Sequence, residues 1–196
     1  MTEYMAMTFS VSDSAPATAE PAPTAVLLSG GLDSAVLLAD AAARGGIVHP
    51  IYVRVGLAWE PIERAIVDAF LARAPLGPRV RPLAELSLDM RDVYPPDHWS
   101  RTGRAPGYHT ADEEVYIPGR NIVLLGKAGL YCAVNGVGRI AIGTLDHNPF
   151  PDATPMFRAA MAQALSLGLA HDIAIDAPYE IGRAPSELQS HLNLVC

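Results

Sequence analysis

Residues 26–38, VLLSGGLDSAVLL, place a short polar turn between two apolar runs. The first run is typical of a buried strand, and the stretch from Leu32 to Arg44 has helical character, with a stop at Gly45-Gly46. The two glycines of the turn permit positive φ and let backbone N–H groups approach a ligand closely. The first turn of the helix adds unpaired N–H donors and the positive end of a dipole, which suit an anion. The stretch therefore predicts either a cradle for phosphate groups or a plain strand-to-helix connection.

The polar side chains of this turn suit a phosphate ligand accompanied by a metal ion. The hydroxyls of Ser29 and Ser34 are hydrogen-bond donors for phosphate oxygens. The carboxylate of Asp33 would repel a bare phosphate, so its presence indicates an intervening Mg²⁺ ion. The structural alternative is that Asp33 or Ser34 caps the helix. The stretch matches neither G-x-x-x-x-G-K-[ST] nor G-x-G-x-x-G, the two common nucleotide-binding fingerprints.

The composition of the 196-residue chain is that of an acidic globular protein, with 50% hydrophobic residues, 18% charged residues and a formal net charge of −7. An acidic balance disfavours broad contact with nucleic acid, because such binding depends on phosphate neutralisation. Two cysteines, Cys132 and Cys196, are too few for a disulfide framework, and Cys132 lies among apolar residues as a core residue would. No apolar stretch approaches the roughly 18 residues of a membrane-spanning helix, and the N-terminus lacks a secretory pattern. We therefore expect a cytoplasmic protein without membrane or nucleic-acid partners.

Strand and helix patterns alternate along the chain after an Ala-, Pro-, Thr- and Ser-rich start, which predicts a flexible tail over residues 1–23. Strands are predicted in TAVLL, IVHPIYVRV (beginning after Pro50), RVRPLAEL, RIAIGTL and DIAIDAPY, with helices between them. The apolar face of the second helix is predicted to carry Ile62, Ile66, Ala69, Phe70 and Ala74. The pattern breaks over residues 87–119, which predicts a long functional loop. Residues 24–196 are thus expected to form one α/β domain, a doubly wound parallel sheet in three α/β/α layers with ligands beyond the carboxyl ends of the strands.

Three segments together carry a resemblance to a known family. The S-G-G-x-D-S pattern of residues 29–34 is the motif of the ATP pyrophosphatases, enzymes that cleave ATP between its α and β phosphates. The stretches EVYIPGRNIVLL (114–125) and IGTLDHNPFPDATPMFRAAMAQALSLGL (142–169) then resemble the 7-cyano-7-deazaguanine synthase family. The resemblance extends over residues 25–180, and its P-G-R-N and Pro-Asp elements are far more specific than the phosphate loop alone.

The resemblance implies an ATP-dependent ligase of queuosine biosynthesis, which converts 7-carboxy-7-deazaguanine and ammonia into 7-cyano-7-deazaguanine through an adenylated carboxylate. It also implies ATP and Mg²⁺ as cofactors, a homodimer, and a Rossmann-like fold of the adenine nucleotide alpha hydrolase type. ATP is then expected to contact the loop and the helix that follows it, through Leu28, Ser29, Gly30, Gly31, Leu32, Asp33, Ser34, Ala35, Val36, Leu37 and Leu38.

Within this resemblance, residues 29–34 hold the pyrophosphate portion of ATP and Asp33 binds Mg²⁺. Arg120 is a candidate contact for a phosphate or carboxylate, with Asn121 as a polar helper at a helix start. Asp146 and Asp152 are candidate acceptors for the amino and ring N–H groups of the deazaguanine.

Structural explanations remain open for these and neighbouring residues. Asn121 is also a suitable helix cap, and Asp152 a suitable turn residue. Trp99 either stacks on a base or packs in the core. Solvated side chains without a catalytic role are expected at His98, His109, His147, Glu113 and Glu114.

The chain departs from the family pattern at its C-terminal end. The family carries four cysteines there that bind a structural zinc, and Cys196 matches only the first of them. A family lysine ahead of a glutamate is replaced by Pro185-Ser186-Glu187, with Arg183 nearby. Two other hypotheses therefore stay open: another adenylating ATP pyrophosphatase, for example one acting on a tRNA base, and a nucleotide-binding protein that has lost catalysis.

Overall fold

Five parallel strands form one sheet in the computed structural model, which describes residues 21–104, 106–107, 109–144 and 148–179. The strands lie in the order β3-β2-β1-β4-β5. Every neighbouring pair is parallel, as predicted. Their bounds are Thr24–Leu27 (β1), Val48–Arg54 (β2), Ala84–Ser87 (β3), Arg139–Ala141 (β4) and Ala174–Asp176 (β5).

Four longer helices connect these strands, and two short ones lie in the predicted long loop. The longer helices are α1 (Leu32–Ala43), α2 (Glu60–Arg73), α5 (Arg120–Asn135) and α6 (Pro155–Leu169); the short ones are α3 (Trp99–Thr102) and α4 (Asp112–Val115). A 3-10 turn over Pro151–Ala153 precedes α6. Among the residues described, no helix is both long and apolar enough to cross a membrane.

The sheet is covered by helices on both faces, which confirms the predicted three-layer α/β architecture. Because side chains alternate along a strand, Ala25 of β1 joins one core cluster and Val26 the other. The cluster that contains Val26 includes residues of α1 and α2. The cluster that contains Ala25 includes residues of α5, and side chains of α6 pack against it.

The strand order reverses between β1 and β4, at the centre of the sheet. The chain runs from β1 outward through β2 to β3, and then returns to the other side of β1 for β4 and β5. The carboxyl ends of β1 and β4 are therefore neighbours at a topological switch point, where ligands bind in open α/β sheets.

Strand β2 begins at Val48, three residues earlier than predicted, so Pro50 lies inside it. Proline lacks the N–H that a ladder requires. Val48 bonds both Arg79 and Arg81 on the β3 side, and pairing with β3 starts only at Ile51. Pro50 therefore lies between these bonds and the start of the β2–β3 pairing, where no backbone N–H is needed.

The predicted apolar face of α2 is right for Phe70 and Ala74, which pack in the core, and wrong for Ile62, Ile66 and Ala69. Ile62 and Ile66 are 67% and 48% exposed, and the buried stripe runs through Glu60, Val67 and Phe70. A carboxylate faces inward because Oε1 of Glu60 accepts hydrogen bonds from the backbone N–H groups of residues 55 and 56, which leave β2. Satisfying these buried donors outweighs the side-chain pattern.

Candidate functional site

A cleft of about 330 Å³ opens at the switch point between β1 and β4. Its walls come from the turn after β1, from α2 and α3, from the start of α5 and from the segment between β4 and the 3-10 turn. Polar residues that line it are Ser29, Ser34, Glu63, Arg120, Asn121, Thr144, Asn148 and Asp152. The topology thus gathers side chains that are far apart in sequence around one space.

The turn after β1 is held together by Ser34. Its Oγ donates to the carbonyl of Gly31 (2.8 Å) and accepts from the backbone N–H of Ser29 (3.2 Å). Gly30 has φ +81°, a backbone conformation that favours glycine. A Cβ there would lie 2.9 Å from the carbonyl oxygen of Glu63, so the turn also packs directly against α2.

The other residues expected to contact ATP divide by burial. Leu32 is exposed, and Asp33 is half-buried on the first turn of α1, outside the set that lines the cleft. The side chains of the remaining members fill the core beneath the turn: Leu28, Ala35, Val36, Leu37 and Leu38.

The start of α5 is docked onto the 3-10 turn by two hydrogen bonds that Asn121 donates to Asp152. The backbone N–H of Asn121 donates to Oδ2 of Asp152, and Asn121 Nδ2 donates to the carbonyl of Asp152, both at 3.0 Å. Asn121 is therefore not the cap of the helix; Gly119, with φ +78°, holds that position. Asp152 is only 5% exposed, and its carboxylate serves the helix N-terminus from a separate segment.

Glu63 is a cleft residue that the sequence reasoning missed. Oε2 accepts from the hydroxyl of Tyr52 (3.2 Å) and Oε1 from the indole N–H of Trp59 (3.1 Å). Nη2 of Arg120 lies 3.7 Å from the same Oε1. Burial raises the pKa of the Glu63 carboxyl, against the opposing influence of Arg120 and the two hydrogen bonds. The signal in the sequence was the 3-4-3 spacing of residues 60, 63, 67 and 70, which places two acids on the buried stripe of α2.

Aromatic rings form part of the cleft wall. Trp99 lines the cleft and stacks on Trp59, with ring centroids 5.1 Å apart and planes within 8°. Tyr116 and Phe150, which also line it, stack with centroids 5.0 Å apart. Trp99 packs against the core cluster, as one of the two alternatives predicted, and it also borders the cleft; stacking on a base stays a prediction.

Two buried donors at the cleft have no hydrogen-bond partner within the described part of the chain. They are the indole Nε1 of Trp99 and the guanidinium Nε of Arg120. An unpaired buried donor is costly and calls for an explanation, such as a ligand acceptor. With the N-terminus of α1 and the Arg120 cation, these donors make the cleft suited to an anionic ligand.

The remaining candidates either do not line the cleft or lie outside the described residues. Cys132 is fully buried in the core, as expected, and burial raises its pKa to about 12. Ring Nδ1 of His98 accepts from the backbone N–H of Ser100 and caps α3. His109 and Glu114 are exposed. Asp146, His147, Arg183 and Cys196 lie outside the described residues, as does the side chain of Glu113.

The chain matches a family model described as "Queuosine biosynthesis protein QueC" over residues 24–183. Curated proteins named 7-cyano-7-deazaguanine synthase are also similar to it. The protein of Methanoregula boonei is 28% identical over 160 residues (79% of this chain, 71% of that protein). That of Thermoplasma volcanium is 31% identical over 161 residues (76% and 61%), and that of Erythrobacter litoralis is 28% identical over 168 residues (80% and 65%). The chain thus spans about two thirds of the length of these curated relatives.

A comparison with solved structures agrees with the fold. The crystal structure of a "predicted subunit of tRNA methyltransferase" from Methanocaldococcus jannaschii has a TM-score of 0.50 and 16% identity, and covers 88% of this chain and 74% of that one. At this identity the likeness concerns the fold alone. Because the family match extends over residues 24–183, most of the chain, the protein belongs to the family of the queuosine biosynthesis protein QueC.

Proposed function

We propose that the protein converts 7-carboxy-7-deazaguanine and ammonia into 7-cyano-7-deazaguanine at the expense of ATP, as the names of its relatives suggest. The observation that carries the proposal is the family match over residues 24–183, which includes the serine–glycine turn, Arg120 and Asp152. Support from the geometry is that Ser29, Ser34, Arg120 and Asp152 all line one cleft.

The proposed reaction needs two activations. A carboxylate is a poor electrophile, so its oxygen attacks the α-phosphorus of ATP, which releases pyrophosphate and forms an acyl-adenylate. Ammonia then attacks the acyl carbon and displaces AMP, which leaves the amide. A second ATP adenylates the amide oxygen, again with release of pyrophosphate, and loss of AMP and of both N–H protons of the amide yields the nitrile.

In this proposal the cleft contributes mainly charge stabilisation and orientation. Backbone N–H groups of residues 29–34 and the dipole of α1 bind the pyrophosphate portion of ATP. Arg120 binds an anionic oxygen of the nucleotide or of the acid. The Tyr116–Phe150 pair presents flat apolar surface to a deazaguanine ring.

Asp152 and Asp146 remain the proposed acceptors for N–H groups of the deazaguanine. Oδ2 of Asp152 already accepts from Asn121, so a ligand would share this carboxylate with the start of α5. Homodimerisation, expected of the family, and a cytoplasmic location, expected from the sequence, likewise stay proposals.

Magnesium fits the turn of residues 29–34, whereas the described residues contain no set of zinc ligands. Mg²⁺ is commonly held by one or two carboxylates together with substrate phosphates and water, so Asp33 alone would suffice beside a triphosphate. Bound there, the ion would neutralise phosphate charge. Among the described residues no group of three or more His, Cys, Asp or Glu could hold a metal ion, and Cys132, the cysteine among them, is a buried thiol. No step of the proposal depends on zinc.

The test is to incubate the chain with ATP, Mg²⁺, ammonium and 7-carboxy-7-deazaguanine, and to follow AMP and the nitrile by mass spectrometry. AMP and nitrile together are expected, and Arg120→Gln should abolish both while Arg104→Gln, at an exposed arginine, should not. AMP without nitrile would redirect the proposal to another adenylating enzyme. ATP binding without formation of AMP would indicate a nucleotide-binding protein that has lost catalysis.

A further inference from the structure

Glu63 connects the two halves of the cleft. Its backbone carbonyl lies 2.9 Å from the position a Cβ of Gly30 would take, so its main chain abuts the phosphate turn. Its side chain lies 3.7 Å from Nη2 of Arg120, at the start of α5. One residue therefore contacts both the turn after β1 and the P-G-R-N element.

The carboxylate itself is fixed in place from behind. Tyr52 and Trp59 each donate one hydrogen bond to it, one to each oxygen. Trp59 is in turn held by the stack with Trp99. Because these donors restrain Glu63, it offers Arg120 a rigid partner rather than a mobile surface charge.

The pairing also determines which donors of Arg120 remain for a ligand. A guanidinium has five N–H donors in a fixed fork. Glu63 is the one carboxylate within ion-pair distance of Arg120 among the described residues, and it faces Nη2, whereas the buried Nε has no partner. Glu63 thus restrains the guanidinium through Nη2, and Nε remains available to donate to a ligand.

We infer that Glu63 is a positioning residue, which holds the Arg120 guanidinium against the phosphate turn so that its remaining N–H groups meet an anionic oxygen of the ligand. The inference deepens the proposed function, on which it rests for the identity of the ligand. The anionic oxygen belongs either to a phosphate of ATP or to the carboxylate of the acid, two sources with the same chemistry.

The buried charge of Glu63 is not explained by a contribution to folding stability. A carboxyl whose pKa is higher in the folded than in the unfolded chain binds its proton more tightly when folded. The folded state is then stabilised as the pH falls through that raised pKa, and above it carries the cost of the buried charge. For Glu63 burial outweighs its partners, so a neutral side chain of the same shape should not destabilise the fold.

The test measures ligand affinity by calorimetry in Glu63→Gln, with α,β-methylene-ATP and 7-carboxy-7-deazaguanine as separate ligands. Affinity for at least one of them should fall about ten-fold, the loss expected of one charge-assisted contact. The ligand affected identifies the source of the oxygen. Glu63→Asp should recover only part of the loss, because it restores the charge but not the reach.

Glu60→Gln is the matched control, since Glu60 lies one turn earlier on α2, is 5% exposed and does not line the cleft. It replaces the charged acceptor of the backbone N–H groups of residues 55 and 56 with a neutral amide oxygen, which weakens both hydrogen bonds, so it should lower the free energy of unfolding and leave affinity within two-fold. Glu63→Gln should show the reverse: full stability in urea and weakened binding.

Two further readouts separate positioning from a general structural effect. In an Arg120→Gln background, Glu63→Gln should change affinity less than two-fold, because it acts through Arg120. In the wild type, affinity should fall as the pH drops through the raised pKa of Glu63, because the protonated carboxyl no longer attracts Arg120. The Gln variant should not show this fall in affinity at low pH.

Additive effects of the two substitutions, unchanged affinity for both ligands, or equal losses in the Glu60 and Glu63 variants would each overturn the inference. If the wild type binds the nucleotide but not the acid, the proposed substrate is wrong. The affinities for α,β-methylene-ATP then still decide the role of Glu63. If it binds neither, both proposals fail.

Discussion

Asn121 and Asp152 bind each other twice: the backbone N–H of Asn121 donates to Oδ2 of Asp152, and its amide donates to the carbonyl of Asp152, both at 3.0 Å. The two residues are 31 positions apart and belong to α5 and to the 3-10 turn after β4. Their pairing joins, at the edge of the cleft, the two segments that contain the P-G-R-N and Pro-Asp elements.

Asp152→Ala should lower the free energy of unfolding by about 1–2 kcal/mol, because it removes the acceptor of a helix-terminal N–H from a buried position. Urea unfolding followed by circular dichroism measures the change. Asp152→Asn should cost less, since its amide oxygen can still accept. Asp92→Ala, at an exposed aspartate, is the control and should stay within about 0.5 kcal/mol of wild type. Equal effects at positions 92 and 152 would refute the capping role.

Gly30→Ala should destabilise the fold more than Gly45→Ala. Both glycines have φ +81°, so both substitutions carry the backbone cost of about 1–2 kcal/mol. Only at Gly30 would the new Cβ also lie 2.9 Å from a backbone oxygen, that of Glu63, whereas nothing lies within 4 Å at Gly45. The difference between the two midpoints of urea unfolding therefore measures the contact between the turn and α2. Indistinguishable midpoints would show that the turn can move away from α2 without cost.

Asp33→Asn should remove most of the Mg²⁺ dependence of nucleotide affinity. If Asp33 holds the ion beside the phosphates, wild-type affinity for α,β-methylene-ATP rises with Mg²⁺, and the variant should lose roughly ten-fold at saturating Mg²⁺ while matching wild type in EDTA. Calorimetry with and without the metal gives the comparison. A variant that responds to Mg²⁺ as strongly as the wild type would exclude this role for Asp33.

Cys132 should be inert towards thiol reagents in the folded protein. Its side chain is fully buried and its pKa is raised to about 12, so the thiolate that reacts is scarce at neutral pH. In a Cys196→Ser variant, which leaves Cys132 as the single thiol, alkylation should be on the order of a hundred-fold slower than in guanidinium chloride. Similar rates in both conditions would mean that the core around α5 opens readily.

The architecture and the location of the cleft could be predicted from the sequence because they depend on local patterns. Apolar runs alternate with helical periodicity, and the serine–glycine turn follows the first strand. In a parallel sheet the turns at the carboxyl ends of strands meet at one edge, so the place of the site follows from the order of elements.

The partners of these residues could not be predicted, because tertiary contacts override local pattern. Ile62 and Ile66 suggested the inner face of α2, but buried backbone donors near β2 and the hydroxyl of Tyr52 turn Glu60 and Glu63 inward instead. The N-terminus of α5 shows the same effect, since the acceptor for the N–H of Asn121 comes from a segment 31 residues away. No spacing in the sequence reveals such a contact.

The stack of Trp59 on Trp99 gives the protein an optical probe of its own. These are the two tryptophans of the whole chain, and the second of them borders the cleft. All indole emission of the unlabelled protein therefore arises beside the site, and any ligand or rearrangement that disturbs the stack will alter its intensity or wavelength. Trp59→Phe would confine that signal to Trp99, so that occupancy of the cleft can be read by spectroscopy before any product has been identified.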